Sequence, residues 1–144
     1  MEREIFSAKR KREREKMYKE LIISTVVILL VICANSITQS YTKEAVELLD
    51  EKLMELEDGI KEEQMQEELQ YKMNEVMDNW KEKYNKLAYF IEHNELEKVE
   101  TELTSLRANI DEEQYEEAVT SLEKGIFILN HIKEKFRLDM KNIF

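Results

Sequence analysis

The chain has 144 residues, a formal net charge of −10, one cysteine, two glycines and no proline. A single cysteine excludes an intrachain disulfide and therefore a disulfide-stapled secreted module. The scarcity of glycine and proline argues against an all-β fold, which needs turn residues at short intervals. The abundance of Glu, Lys, Leu and Met instead predicts an all-α fold.

Charge is distributed unevenly along the chain. Residues 1–20 carry eight basic and five acidic side chains, a net charge of +3, whereas the remainder carries −13. Because nucleic-acid phosphates repel a strongly acidic surface, the sequence predicts no nucleic-acid partner for the larger part. The basic run Lys9–Arg12 is typical of nuclear-localisation or nucleic-acid patches, but beside an apolar segment it favours attraction to anionic lipid headgroups.

An apolar segment of seventeen uncharged residues, Leu21–Ile37, follows the basic stretch. As a helix it rises roughly 25 Å, slightly less than the ~30 Å of a bilayer core. Tyr18 and Tyr41 flank it, and tyrosine prefers the membrane–water interface. The segment predicts one membrane span. Its basic flank predicts a cytoplasmic amino terminus and an extracytoplasmic carboxyl-terminal domain.

Other interpretations of this segment stay open. The small residues of Ala34-Asn35-Ser36 resemble a signal-peptide cleavage site, so a cleaved signal and a secreted domain form one alternative. A lipoprotein site at Cys33 is disfavoured because the preceding Ile32 is bulky. A buried core helix of a soluble protein is disfavoured because no other segment is apolar enough to enclose it. We interpret Cys33 as a small apolar residue of the span rather than as an interchain disulfide.

Four apolar stripes with helical spacing follow the span. They start at Val46, Leu69, Leu96 and Tyr115. We predict one amino-terminal transmembrane helix followed by an antiparallel bundle of about four helices. The predicted organisation is a basic cytoplasmic segment (1–20), a transmembrane helix (21–37), a membrane-proximal helix or linker (38–64) and a helical bundle (65–144). The membrane-proximal helix is expected to pack on the bundle, extend as a stalk or pair with another copy.

Lapses in the stripes predict the turns. A kink or a turn is expected near residues 58–64, and the second helix is expected to end near residues 92–93. Asn94 is a candidate cap for the next helix, with Glu97 as its reciprocal partner. Asn109–Asp111 is expected to form a short turn, with Asp111 as a second cap. The apolar carboxyl end, residues 140–144, is expected to dock on the bundle.

No pattern in the sequence predicts catalysis, a cofactor or a metal. Neither His93 nor His131 follows a glutamate by three residues, as a carboxylate-bridged metal bundle requires. Neighbouring carboxylates are so abundant that they indicate solvated helix faces. The histidines are expected at a helix end and on the surface, and Trp80 in the core. We therefore predict that the protein is not an enzyme.

Several of these features together resemble a family of uncharacterised single-span membrane proteins from spore-forming and related bacteria. The resemblance rests on the apolar span, the aromatic stripe around Trp80, His93–Leu96, Asp111–Ala118 and Asn142-Ile143-Phe144. It implies a bacterial envelope location and an all-helical outer domain. The family is classed as a domain of unknown function and supplies no catalytic or binding residue.

The sequence predicts a membrane-anchored helical interaction or accessory protein. Its predicted partners are the lipid bilayer and another envelope protein or a second copy of itself. Two alternatives remain: a ligand-sensing helical domain that acts through a partner, and a secreted helical domain released by cleavage of the span.

Overall fold

The computed structural model describes the backbone of residues 2–141 and the side chains of residues 10–135. The described chain forms four α-helices and no strand: α1 (Glu2–Lys61), α2 (Gln66–Leu87), α3 (His93–Asp111) and α4 (Tyr115–Lys141). The predicted all-α fold is confirmed. The predicted span and the membrane-proximal stripe lie on the same helix, α1. The chain divides into two compact units between Ile37 and Thr38.

The helices of the second unit are antiparallel to their neighbours in sequence. Contacts between consecutive helices pair rising residue numbers on one with falling numbers on the next. Helices α1 and α2 are joined by Lys52 with Glu75 and by Glu55 with Lys72. Helices α2 and α3 are joined by Gln70 with Asp111 and by Tyr84 with His93. The contacts of α3 and the residue before it with α4 are Asn109 with Ser121 and Glu92 with Lys135. The predicted bundle-like packing is therefore present in this unit.

One apolar core holds the second unit together, and all four helices contribute to it. From α1 it receives Ala45, Val46, Leu49, Leu53 and Leu56, each exposing 1% of its surface or less. A helix with one apolar stripe gains stability by burying that stripe against partners. The part of α1 after Thr38 thus packs on the bundle, which was the first of the three alternatives for the membrane-proximal helix.

The predicted end of the second helix near residues 92–93 is wrong. Helix α2 ends at Leu87, and Ala88–Phe90 form a turn. The amide of Ile91 donates to the carbonyl of Leu87 at 2.8 Å, which returns the Ile91 side chain to the core. Because the turn preserves the apolar spacing of a helix, the stripe continued past the true end.

The two predicted caps are also wrong. Helix α3 begins at His93 with Glu92 at the cap position, so Asn94 lies within the first turn, and no side chain caps the helix. The Glu92 carboxylate instead accepts a hydrogen bond from Lys135 at 3.0 Å. Asp111 is the last residue of α3 rather than a cap of α4.

The predicted turn at residues 58–64 is confirmed, and the one at residues 109–111 lies too early. Helix α1 ends at Lys61, whereas α3 continues through Asp111. Ile110 is fully buried on the core-facing side of α3, so the helix continues past the predicted turn. The carboxyl end, where docking was predicted, lies outside the residues whose side chains are described.

The turns after α1 and α3 have the same geometry. After α1, the amide of Glu63 donates to the carbonyl of Ile60 and that of Gln64 to the carbonyl of Gly59. After α3, the amides of Glu113 and Gln114 donate in the same way to the carbonyls of Ile110 and Asn109. Glu63 and Glu113 both have positive φ, at 54° and 58°. This pattern is the Schellman motif that ends many helices. Both turns carry the sequence Ile-x-Glu-Glu-Gln.

Candidate functional site

The apolar segment of α1 leaves its whole circumference uncovered. Every side chain from Leu21 to Ala34 is exposed. The large apolar residues between Leu21 and Ile32 expose 41–64% of their surface. Burying one Val, Leu or Ile side chain is worth about 1.5–3 kcal/mol, so this surface favours an apolar surrounding. By length and composition the helix is able to cross a membrane, and a signal sequence near an amino terminus has the same character.

A polar group within this segment is satisfied by the helix itself. The hydroxyl of Thr25 donates to the carbonyl of Leu21 at 2.9 Å. Such a bond is what a threonine needs in a medium without water. The exposed basic side chains between Arg10 and Lys19 precede the segment.

Tyr41, expected at a membrane interface, lies within the second unit beside the turn after α2. Its ring meets that of Phe90 edge to face, with centroids 6.2 Å apart. The ammonium groups of Lys83 and Lys86 lie 5.9 and 5.5 Å from the centre of the Tyr41 ring. Cation–π attraction acts at these distances. The phenol thus joins the beginning of this unit to the end of α2.

The second unit has ends of opposite charge. We define its basic end as residues 38–44, 81–93 and 133–135, which hold six lysines and four acidic residues, a net charge of +2. Its acidic end comprises residues 57–68 and 107–117, with eleven acidic and two basic residues, a net charge of −9. The antiparallel helices produce this separation by placing alternate turns at the same end.

At the acidic end, Lys61 is surrounded by carboxylates. It pairs with Glu57, one turn earlier on α1. The hydrogen bond to Glu57 is the largest cause that raises the pKa of Lys61, and desolvation opposes it. The negative charges of Glu57, Asp58 and Glu123 raise the pKa further. Lys61 therefore stays charged throughout the physiological range.

The histidines occupy the predicted kinds of position. His93 begins α3, where its Nδ1 lies 3.1 Å from the Tyr84 hydroxyl and its Nε2 lies 3.1 Å from a Glu97 carboxylate oxygen. His131 is exposed on α4. Among the residues that the structure describes, no group of three or more His, Cys, Asp or Glu is arranged to hold a metal ion.

Trp80 lies in the core, as its place on the stripe predicted. It exposes 3% of its surface and meets the ring of Tyr84 edge to face at 5.6 Å. Its indole N–H has no hydrogen-bond partner among the described residues. This tryptophan thus acts by packing, and in this chain it is not an exposed interface anchor.

The helical unit matches a known family over nearly its whole length. The family model described as "Domain of unknown function (DUF4363)" matches residues 36–143. The chain belongs to the DUF4363 family. The match confirms the predicted membership of an uncharacterised family. The DUF4363 domain coincides with the second compact unit, and most of the apolar segment lies outside the match. No curated protein and no solved structure matches this chain.

Sequence reasoning missed the cluster of Tyr41, Phe90 and the two lysines of the DUF4363 domain. A signal for it was present. The turn after α1 is centred near residue 63. In an antiparallel pair, the residue opposite Tyr41 must lie about as far after that turn as Tyr41 lies before it. That position is the Lys83–Lys86 region. The polarity of the domain follows from the same reasoning applied to each turn.

Proposed function

We propose that this protein is a single-span membrane protein with a cytoplasmic amino terminus and an extracytoplasmic DUF4363 domain. The observation that carries the proposal is the uncovered apolar surface of residues 21–34. Eleven Val, Leu and Ile residues between Leu21 and Ile37 face outward, and a bilayer removes them from water. The net charge of +3 ahead of them supports the orientation.

The domain acts as an interaction module that contacts another envelope protein or a second copy of this chain. It does no chemistry of its own in this proposal. His93 is exposed at a helix end beside Tyr84 and Glu97, and Trp80 acts by packing in the core. A DUF4363 domain joined to a span is thereby held at the membrane, where its helical surfaces meet other envelope proteins.

The first experiment tests retention of the span. Membranes from cells that express the full chain with a carboxyl-terminal tag are washed with alkaline carbonate, and the retained chain is weighed by mass spectrometry. The proposal expects a full-length chain in the membrane pellet. Tagged protein in the soluble fraction that begins near Ile37 overturns the anchor and establishes a secreted domain.

The second experiment tests the interaction role. A photoreactive amino acid replaces, one at a time, exposed apolar residues on three helices: Met54, Tyr71 and Phe127. Irradiation of intact cells is expected to give a discrete adduct from one face, either with another envelope protein or with the same chain. The same variants kept in the dark serve as the control that should give no intermolecular adduct. Absence of an adduct from every exposed position contradicts the interaction role.

A further inference from the structure

We propose that the basic end of the DUF4363 domain binds the headgroups of anionic phospholipids in the membrane that anchors it. This inference rests on the proposed span, and it adds a second membrane contact made by the folded domain. The surface that carries it is Tyr89 with the exposed lysines Lys81 and Lys86.

Chain connectivity places this end beside the membrane. Tyr41 is four residues beyond Ile37, so even a fully extended chain separates them by no more than about 14 Å. Tyr41 contacts Phe90 and lies beneath the ammonium groups of Lys83 and Lys86. The end of α2 and the turn after it are therefore held close to the point where the chain leaves the bilayer.

An exposed aromatic side chain marks this end. Tyr89 exposes 89% of its surface, although the two residues that follow it belong to a well-packed region. Phe90 packs on the core and Ile91 is buried. A tyrosine combines an apolar ring with a polar hydroxyl and is enriched at membrane interfaces for that reason. In water the apolar ring of Tyr89 stays exposed, whereas a layer of lipid headgroups accommodates both the ring and the polar hydroxyl.

The charge of this end matches an anionic surface. Two of its acidic residues are already paired with lysines: Glu82 with Lys83 at 3.4 Å and Glu92 with Lys135 at 3.0 Å. Lys81 and Lys86 remain exposed beside them. The opposite end carries a net charge of −9 and is repelled by the same surface. An acidic domain thus binds anionic lipid end-on, although its net charge prevents it from lying flat.

The test uses the full-length chain in lipid nanodiscs with a fluorophore on a single cysteine. Native Cys33 is the only cysteine and reports on the span. In a Cys33→Ser background, Ala88→Cys reports on the basic end and leaves Tyr89 in place, because Ala88 is exposed in the same turn. Met65→Cys reports on the acidic end. Met65 is the matched control because it exposes 73% of its surface and lies in the turn after α1. Spin-labelled lipid quenches a fluorophore that touches the bilayer, with the spin label in the acyl chain for position 33 and at the headgroup for the other two.

In discs rich in phosphatidylglycerol, headgroup spin labels should quench the fluorophore at position 88 and leave the one at position 65 unquenched. In phosphatidylcholine discs, or in high salt, quenching at position 88 should fall because the attraction is electrostatic. Combined Lys81→Gln and Lys86→Gln substitutions should lower the ratio of docked to undocked domain roughly tenfold or more. Lys61→Gln with Arg107→Gln removes the same charge from the acidic end and should not reduce docking.

The outcomes separate this inference from the anchor. If the fluorophore on Cys33 escapes quenching by acyl-chain spin labels, the span itself is wrong. If Cys33 is quenched but position 88 is quenched no more than position 65 in anionic discs, the span stands and the lipid-binding end is overturned. Circular-dichroism melting of each variant ensures that a loss of docking does not reflect unfolding.

Discussion

The two parts of α1 use the same residue types in opposite ways. Between Leu21 and Ala34 the apolar side chains surround the helix and all are exposed. Between Ala45 and Leu56 they fall on one stripe and are almost fully buried against the other helices of the DUF4363 domain. An apolar residue is therefore informative through its periodicity. A continuous apolar surface favours lipid around the helix, whereas a stripe favours a protein core.

The largest expected effect comes from truncating a leucine of the stripe. Leu53→Ala should lower the free energy of unfolding of the helical domain by about 2–5 kcal/mol, because it removes buried contacts and leaves a cavity. Leu29→Ala, in the apolar segment, should leave that free energy unchanged. Chemical denaturation of the full chain in detergent, followed by circular dichroism, measures both variants. Equal destabilisation by the two substitutions would contradict the comparison.

A charged substitution should have the opposite pattern, with a large effect in the apolar segment and none in the stripe region. Leu29→Arg should weaken membrane insertion by about 2.5–3.5 kcal/mol, the cost of a charged side chain near the centre of a span. The matched control is Glu51→Arg on the exposed face of the stripe region, which should leave insertion unchanged. Carbonate extraction of membranes measures the retained fraction. Full retention of the Leu29→Arg variant would argue that these residues do not lie within the hydrocarbon.

Two glycines sharpen the account of packing. A Cβ at Gly59, near the end of α1, would lie 2.7 Å from Gln64 Oε1 and 3.0 Å from Leu69 Cδ2. At Gly125 the nearest atom is Glu102 Cβ at 3.9 Å, an ordinary contact. Gly125→Ala should stabilise the domain by about 0.5–1 kcal/mol through helix propensity. Gly59→Ala should destabilise the domain by roughly 1 kcal/mol, since the cost of overpacking exceeds the gain in helix propensity.

Thermal denaturation of both glycine variants gives the sign of each effect. A stabilised Gly59→Ala variant would mean that the side chains of Gln64 and Leu69 move aside at little cost.

An effect of about the same size is expected where α1 ends. Glu63 has φ 54°, a conformation that is costly for a residue with a Cβ and readily adopted by glycine. Glu63→Gly should therefore stabilise the domain by about 1 kcal/mol, and Glu113→Gly should do the same after α3.

Glu112→Gly is the control, because it removes the same charge at a position with φ −93°. It should give no stabilisation. If the control matches Glu113→Gly, then relief of charge repulsion, rather than backbone conformation, explains the gain.

The spacing of apolar residues correctly predicted those features of the fold that depend on which face of a single helix is buried. The stripes at Val46, Leu69, Leu96 and Tyr115 predicted the amphipathic helices, and the place of Trp80 on its stripe predicted its burial. The end of α2 escaped this reasoning because Ile91 is buried from a turn. The caps at Asn94 and Asp111 were wrong because a capping side chain is only one of several ways to begin a helix.

The candidate lipid-binding surface shows the same division. The basic flank and the apolar segment are local features, so the sequence alone predicts a span and its orientation. The basic end of the DUF4363 domain is assembled from residues about forty positions apart, Tyr41 on α1 and Lys83 and Lys86 on α2. No local pattern brings them together. They meet because of where the chain turns.

The sequence by itself determined that this protein is helical, that it contains one apolar segment of near-membrane length and that its charge changes sign on either side of that segment. These properties follow from composition and from the short-range spacing of residues along one helix. Only the tertiary structure decided that α1 is built into the core after Thr38 and that the domain has a basic and an acidic end. Those properties depend on the antiparallel pairing of helices, which brings distant residues together when the shared apolar core forms.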